Sequence, residues 1–301
     1  MNEAAYLRLF RSGELEQRAI TAREHEAACD LCARTCGVDR AERTGACHTG
    51  KQARVASFGA HHGEELPLRG WRGSGTVFFS WCNLRCLYCQ NHDISQSPAG
   101  QEIDSSRLAA TMLELQRRGC HNINLVSPSH VVAEILEALV LAAAGGLTLP
   151  LVYNTGGYDS LAALRLLDGV IDIYMPDMKY SRASAGRSYS RVRDYPQVNR
   201  AAVREMHRQV GDLQLDGDGL AVRGLLVRHL ILPARLAGTR EIVRFLANEI
   251  STETYLNLMQ QYRPAYKAGD YPLLNRRPTQ AEFDAARRWA VEAGLHRFDR
   301  D

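Results

Sequence analysis

No apolar run in this 301-residue chain approaches the ~20 residues that cross a bilayer, so no membrane partner is expected. Residues 1–11 mix charges and lack the apolar core and small-residue cleavage site of a secretory signal, which makes cytoplasmic residence the expectation. Charge of one sign is missing too. A net charge of +3 and a pI near 8.4 give no strong nucleic-acid signal, because nucleic-acid binders concentrate a far stronger basic patch. A disulfide framework is likewise not expected. All of the eight cysteines except Cys120 fall into two tight groups with ligand-like spacing, the pattern of metal binding in a reducing compartment. With 45% hydrophobic and 24% charged residues, the chain can bury the core of one large α/β domain plus a small appendage.

What is present is concentrated at Cys82, Cys86 and Cys89, whose C-x3-C-x2-C spacing lets one short loop ligate three corners of an iron–sulfur cube. Four thiolates would close a cluster for electron transfer. Three leave one iron free to hold a small molecule by its amino and carboxylate groups, and S-adenosylmethionine is the candidate. A structural zinc site usually has paired knuckles and a fourth ligand nearby, so it ranks lower. Clustered buried thiols are the other bland alternative. The run 75–80, β-branched and aromatic, reads as a strand delivering the cysteine loop at its carboxyl end, where β/α barrels keep their catalytic loops.

Upstream, residues 3–28 read as two short helices separated by Gly13. They precede a second cysteine group, Cys29, Cys32, Cys36 and Cys47. These four thiolates can saturate a second [4Fe–4S] cluster or a tetrahedral zinc. An auxiliary cluster is adopted, with zinc and then unliganded thiols as alternatives. Residues 48–75 show little periodicity and read as a long connecting loop; His61, His62, Glu64 and Glu65 form a polar group that could face the substrate, with surface placement preferred. From there strands at 122–126, 149–153, 170–175, 225–232 and 254–259 alternate with helices at 105–118, 131–144, 161–167, 201–210, 240–249 and 280–293. Ser105 or Ser106 is expected near a helix cap, and Asp216-Gly217-Asp218-Gly219 signals a hairpin turn. Six parallel strands are too few for a closed barrel. The fold class is therefore α/β, a partial (β/α)6 TIM-type barrel over 76–301, with an N-terminal helical, Cys-rich extension and linker over 1–75.

Three strand ends carry further candidates. Asp177 and Lys179 follow the fourth strand two residues apart and can fix a zwitterion. Arg228 could reach a cofactor's ribose or carboxylate, or merely pair with an acid on a neighbouring strand. Asn154-Thr155-Gly156-Gly157-Tyr158 permits close backbone approach to a ligand but equally suits a plain turn. His130, in Ser127-Pro128-Ser129-His130, is a candidate for catalysis or for solvent. Cys120 reads as a core thiol.

Taken with Tyr88 before the last cysteine, these motifs resemble the radical S-adenosylmethionine superfamily, and in particular the iron–sulfur proteins similar to pyruvate formate-lyase activating enzyme. The resemblance runs over nearly the whole chain from Cys29, although Ser127–His130 stands where many members have Gly-Gly-Glu-Pro. It implies a [4Fe–4S] cluster on Cys82, Cys86 and Cys89, and S-adenosylmethionine contacted by Tyr88, Asn154, Gly156, Asp177, Lys179 and Arg228. Asp177 and Lys179 take the catalytic roles. It further implies reductive cleavage to a 5′-deoxyadenosyl radical and hydrogen abstraction from a substrate, with the glycine of a glycyl-radical enzyme as first candidate. A one-electron donor such as flavodoxin or ferredoxin, and a protein substrate, are the implied partners. Modification of another peptide, a small molecule or RNA is the alternative enzyme, and a non-enzymatic metal-binding interaction module is the opposing class.

Overall fold

The fold comes from a computed structural model that describes residues 3–299; the outermost residues of the expected extension and barrel, 1–2 and 300–301, lie outside it. Its strands are β1 (Ala53–His61), β2 (Ser74–Phe79), β3 (Gln101–Ile103), β4 (Ile123–Val126), β5 (Leu151–Thr155), β6 (Ile173–Pro176), β7 (Gln214–Leu215), β8 (Ala221–Leu230) and β9 (Tyr255–Met259). The helices are α1 (Tyr6–Arg11), α2 (Glu14–Glu24), α3 (Leu66–Arg69), α4 (His92–Ser95), α5 (Ser105–Arg117), α6 (Val132–Ala144), α7 (Leu161–Leu166), α8 (Ala183–Ser190), α9 (Tyr195–Val210), α10 (Thr239–Phe245) and α11 (Gln280–Glu292). None is long and apolar enough to cross a membrane.

The six strands read from the sequence, β2, β4, β5, β6, β8 and β9, pair in that order and in parallel. The sheet does not close, so the architecture is a partial α/β barrel. Strands β4 to β6 are buried almost throughout, as expected where helices cover one face and a barrel interior fills the other. The hairpin at Asp216 is present, with β7 antiparallel to β8.

Ser105 stands next to the cap of α5 as expected, the capping residue being Asp104, which accepts from the Arg107 N–H. Two local expectations are corrected. Residues 48–75 are no plain loop: β1 pairs antiparallel with β2 and carries β3 on its outer edge. Helix α9 starts at Tyr195, earlier than expected, with Pro196 in its first turn, where a missing N–H costs nothing.

Segment 62–73, between β1 and β2, plugs the gap that β9 leaves. Leu68 is fully buried in the barrel interior with Val152, Ile173, Met175 and Leu226, and its carbonyl accepts from Asn122 Nδ2 at 2.8 Å. The extension docks outside the sheet, where α2 packs on α6. Helix α6 is apolar nearly all round and correspondingly buried. Beside that contact Arg40 lies 3.0 Å from Glu26 and 3.4 Å from Glu134, and Arg23 adds a 2.9 Å pair to Glu26. A cavity of about 540 Å³ adjoins this ion cluster, but no cysteine lines it.

Breaking a buried ion pair from one side strands its partner in a dry site. Arg40→Met should therefore lower stability by about 3 kcal/mol in urea denaturation. A loss below about 1 kcal/mol would mean that the cluster adds little to the anchoring of the extension.

Candidate functional site

The cysteine loop leaves β2 through Trp81, which takes a left-handed turn (φ 66°) and donates its N–H to Ile94 O at 2.9 Å. Each sulfur then meets a polar group. The Leu84 N–H donates to Cys82 Sγ at 3.4 Å, Ser190 Oγ lies 3.0 Å from Cys86 Sγ, and Ser95 Oγ lies 3.1 Å from Cys89 Sγ. Burial pushes the Cys86 thiol up to about 12 and raises that of Cys82, while the Lys179 ammonium pulls both down. Such dry thiols become thiolates when a metal replaces their protons.

All three cysteines line one cleft of about 130 Å³ together with Asn154, Gly156, Asp177, Lys179 and Arg228, so the strand ends bring most of the expected site together. Lys179 Nζ donates to Asp177 Oδ2 at 2.5 Å, and Arg228 Nε donates to Oδ1 at 2.9 Å. Arg228 Nη2 also donates to Asn154 Oδ1 at 2.6 Å. Burial alone would raise the Asp177 pKa, but Arg228 and Lys179 outweigh it and hold the carboxyl below its ordinary value. The same carboxylate raises Lys179 well above its usual value against burial. Both halves of an acid–base pair are therefore charged at neutral pH.

Two residues of α9 that the sequence did not single out fix this arrangement. Tyr195 OH is shared between the carbonyls of Gly156 (2.9 Å) and Asp177 (3.0 Å) and accepts from the Lys179 N–H. Asn199 Nδ2 donates to the carbonyls of Gly157 and Asp177, each at 3.0 Å. Gly157 has φ 72°, and a Cβ there would stand 2.3 Å from Asn199 Nδ2 and from Asp177 O, so no other residue fits. The pattern Tyr-x3-Asn at a helix start was the available signal.

Other candidates stand elsewhere. Tyr88 is not in the cleft; its ring lies in a tyrosine cluster, 5.8 Å from Tyr262 and 6.3 Å from Tyr180. His130 is buried, with Nε2 3.0 Å from Ser80 O, and burial lowers its pKa to about 4, which fits a neutral structural imidazole. Cys120 is a core thiol. Glu64 and Glu65 are not on the surface: they turn inward towards Arg228, which is 4.0 Å from Glu64.

The second cysteine group is tightly folded. Cys29 N–H donates to Val38 O, Gly37 N–H to Cys29 O, and Ala46 N–H to Cys36 Sγ at 3.4 Å. A Cβ on Gly45 would come within 2.9 Å of Cys36 Sγ. Cys29, Cys32, Cys36 and Cys47 are close enough to perturb one another electrostatically, and burial drives Cys32 up to about 12. Among the described residues no three His, Cys, Asp or Glu side chains converge on a single metal ion. The corners of a cubane separate its thiolates more widely than one ion does, so the chemistry of the donor sets bears on an iron–sulfur assignment: three sulfurs in a cleft with a charged pair, and four sulfurs in a closed fold. On that chemistry the three cleft sulfurs fit an open-sided cluster, and the four sulfurs of the extension are a donor set of the right kind for a closed one.

No protein-family model matches the chain. Among solved structures, Streptococcus suis SuiB bound to precursor peptide SuiA shares 10% identity over 70% of this chain and 43% of that one, with a TM-score of 0.47. TYW1 with a lysine-pyruvate adduct bound shares 9% over 53% of this chain and 56% of that one, at 0.31. This chain thus spans less than two thirds of either, and likeness at that level carries no weight for function. Curated relatives are nearer. The uncharacterised protein MJ0808 of Methanocaldococcus jannaschii is 24% identical over 288 residues, covering 90% of this chain and 80% of the relative. A second uncharacterised protein of that organism, MJ0674, is 30% identical over 276 residues, 89% of this chain and 75% of its own length, and the chain belongs to the MJ0674 family.

Proposed function

We propose that the protein is a radical S-adenosylmethionine enzyme. One observation carries this: Cys82, Cys86 and Cys89 share a cleft with Asn154, Asp177, Lys179 and Arg228, three thiolates for an open-sided [4Fe–4S] cluster beside groups suited to an amino acid's charges. When bound, cluster and cofactor supply a 5′-deoxyadenosyl radical able to abstract hydrogen.

The chain's own residues do the positioning. Asp177 presents a carboxylate fixed on both oxygens, so it stays ionised in the cleft and can hold an ammonium group. Lys179, raised well above its ordinary pKa, stays protonated and offsets negative charge at the sulfurs. Leu84, Ser95 and Ser190 donate towards those sulfurs, a contact that tunes iron–sulfur potentials. Ile94, Phe79 and Val126 supply apolar wall, which limits water at the reacting atoms.

Hydrogen abstraction from the backbone glycine of a glycyl-radical enzyme comes from the family resemblance alone. A low-potential one-electron donor of the flavodoxin or ferredoxin kind, and cytoplasmic residence, belong to the same proposal. The group Cys29, Cys32, Cys36 and Cys47 is assigned to an auxiliary [4Fe–4S] cluster.

Replacing any one of Cys82, Cys86 or Cys89 by alanine should abolish 5′-deoxyadenosine formation with dithionite while circular dichroism stays native. Continued formation by the triple variant would exclude the cluster assignment. Asp177→Ala leaves Lys179 and Arg228 uncompensated, and S-adenosylmethionine affinity should fall by roughly tenfold or more in equilibrium dialysis. Anaerobically reconstituted protein should hold about eight irons per chain, and about four after Cys29 and Cys32 are both replaced by alanine. About four irons with one zinc in the unmutated protein would make the N-terminal site structural zinc.

A further inference from the structure

Glu64 and Glu65 have no part in the function just proposed, yet both are withdrawn from water on the segment that plugs the barrel's gap. Glu65 is 6% exposed and the Glu64 side chain 8%. One oxygen of Glu65 accepts from Asn257 Nδ2 at 2.9 Å, while Oε2 is buried with no hydrogen-bond partner. Glu64 lies alongside Glu65 and Asn124, near enough for each to act on its carboxyl, but neither end of the buried Asn124 amide makes a hydrogen bond of good geometry. The two glutamates and Asn257 line a cavity of about 310 Å³ with Arg69 and the exposed His62 at its edge. Arg228 lines both this cavity and the cysteine cleft, so the two compartments meet at one side chain.

The charges there do not balance. Around Arg228 stand the carboxylates of Asp177, Glu64 and Glu65 against two cations, Arg228 and Lys179, and Lys179 is engaged by Asp177. Among the described residues Arg69 forms no ion pair within 4.0 Å. A surplus carboxylate in a dry site must be protonated or paired. Burial pushes Glu64 up to about 7, with Glu65 adding to the rise against the pull of Arg228, so Glu64 holds its proton far more readily than a solvated carboxyl.

We propose that this cavity is a substrate subsite for a protonated primary amine, which is held between Glu64 and Glu65 with the orphaned Oε2 of Glu65 as acceptor. An ammonium there supplies the missing positive charge and the missing donors together. The remainder of the molecule then passes Arg228 towards the cysteine cleft. That last placement rests on the hydrogen-abstraction reading; binding of the amine does not.

The test is isothermal titration of anaerobically reconstituted, unreduced protein at pH 7 with N-acetyl-lysine methylamide, with 1,4-diaminobutane, and with neutral N-acetyl-norleucine methylamide. At least one amine should bind about tenfold or more tightly than the norleucine compound, and Glu65→Gln should weaken it by a similar factor. Titration in two buffers of different ionisation heat should show proton release on binding, because the ammonium displaces the Glu64 proton; Glu64→Gln should abolish that release. The better of the two amines separates a lysine side chain from a free diamine, and either result supports the site. Equal affinity for the norleucine compound, amine affinity unchanged in both Glu64→Gln and Glu65→Gln, or no amine binding at millimolar concentration overturns it. No step of this titration involves reductant or cofactor cleavage, so a missing 5′-deoxyadenosine product and a missing amine site are told apart.

Discussion

The ion pair between Asp177 and Arg228 is the constraint on which the rest of the site depends. Strands β6 and β8 are in ladder register only at Ile173 with Gly224 and Tyr174 with Leu225. Pro176 cannot donate a hydrogen bond, and regular pairing has lapsed before the chain reaches the cleft. It resumes at a single bridge between Asp177 and Arg228, where the Met178 N–H reaches Arg228 O at 2.8 Å. The side-chain pair thus joins the two strands where backbone bonding is sparse. Every polar part of Asp177 is engaged: its N–H by Thr155 O, its carbonyl by Tyr195 and Asn199, and its carboxylate by Lys179 and Arg228. With desolvation against it and two cations for it, the carboxylate stays charged and fixed without any ligand.

The cysteine extension leans on the same frame. Arg34 donates to Asn83 O at 2.7 Å and to Arg191 O at 2.9 Å, Arg85 donates to Ala46 O, and Asn83 Nδ2 holds Tyr158 O at 2.7 Å. Asn83 also sits beside Cys32, whose thiol it helps to lower against burial. The loop carrying Cys82 is therefore braced from one side by the other cysteine group and from the other by the turn after β5. A displacement of either cysteine group would be passed to the other through these few bonds.

Much of the barrel was legible for a physical reason. Parallel strands buried on both faces read as short, mostly apolar runs bounded by turn residues, and β4 and β9 come close to that, each broken by one buried asparagine, Asn124 and Asn257. The cysteine triplet and the pair at Asp177 and Lys179 could be picked out because each follows directly on a strand, and the structure puts them in one cleft. Strand β1 was not legible: it is rich in small and polar residues, with Phe58 exposed, and antiparallel pairing with β2 on one side and β3 on the other decides its conformation. Tyr195 and Asn199 were missed with the first turn of α9. Tyr88 was expected at the cofactor from the family resemblance, and its ring packs against Tyr180 and Tyr262 instead of lining the cleft, a side of the loop that a motif does not specify. The inward placement of Glu64 and Glu65 is a tertiary effect, since only the unfilled gap beside β9 draws a polar loop into the interior.

The plug over that gap is the loop of a hairpin, not a further strand of the barrel. Its ends are tied at His61 and Ser74, which face each other across β1 and β2. Insertions or deletions between those two anchors would leave the register of β2, and with it the position of Cys82, untouched. The hairpin loop and the cysteine loop are in this way separately variable stretches of chain. A lineage of such proteins can exchange the occupant of the barrel's mouth by rewriting a dozen or so loop residues, while the thiols and the charged strand ends stay as they are.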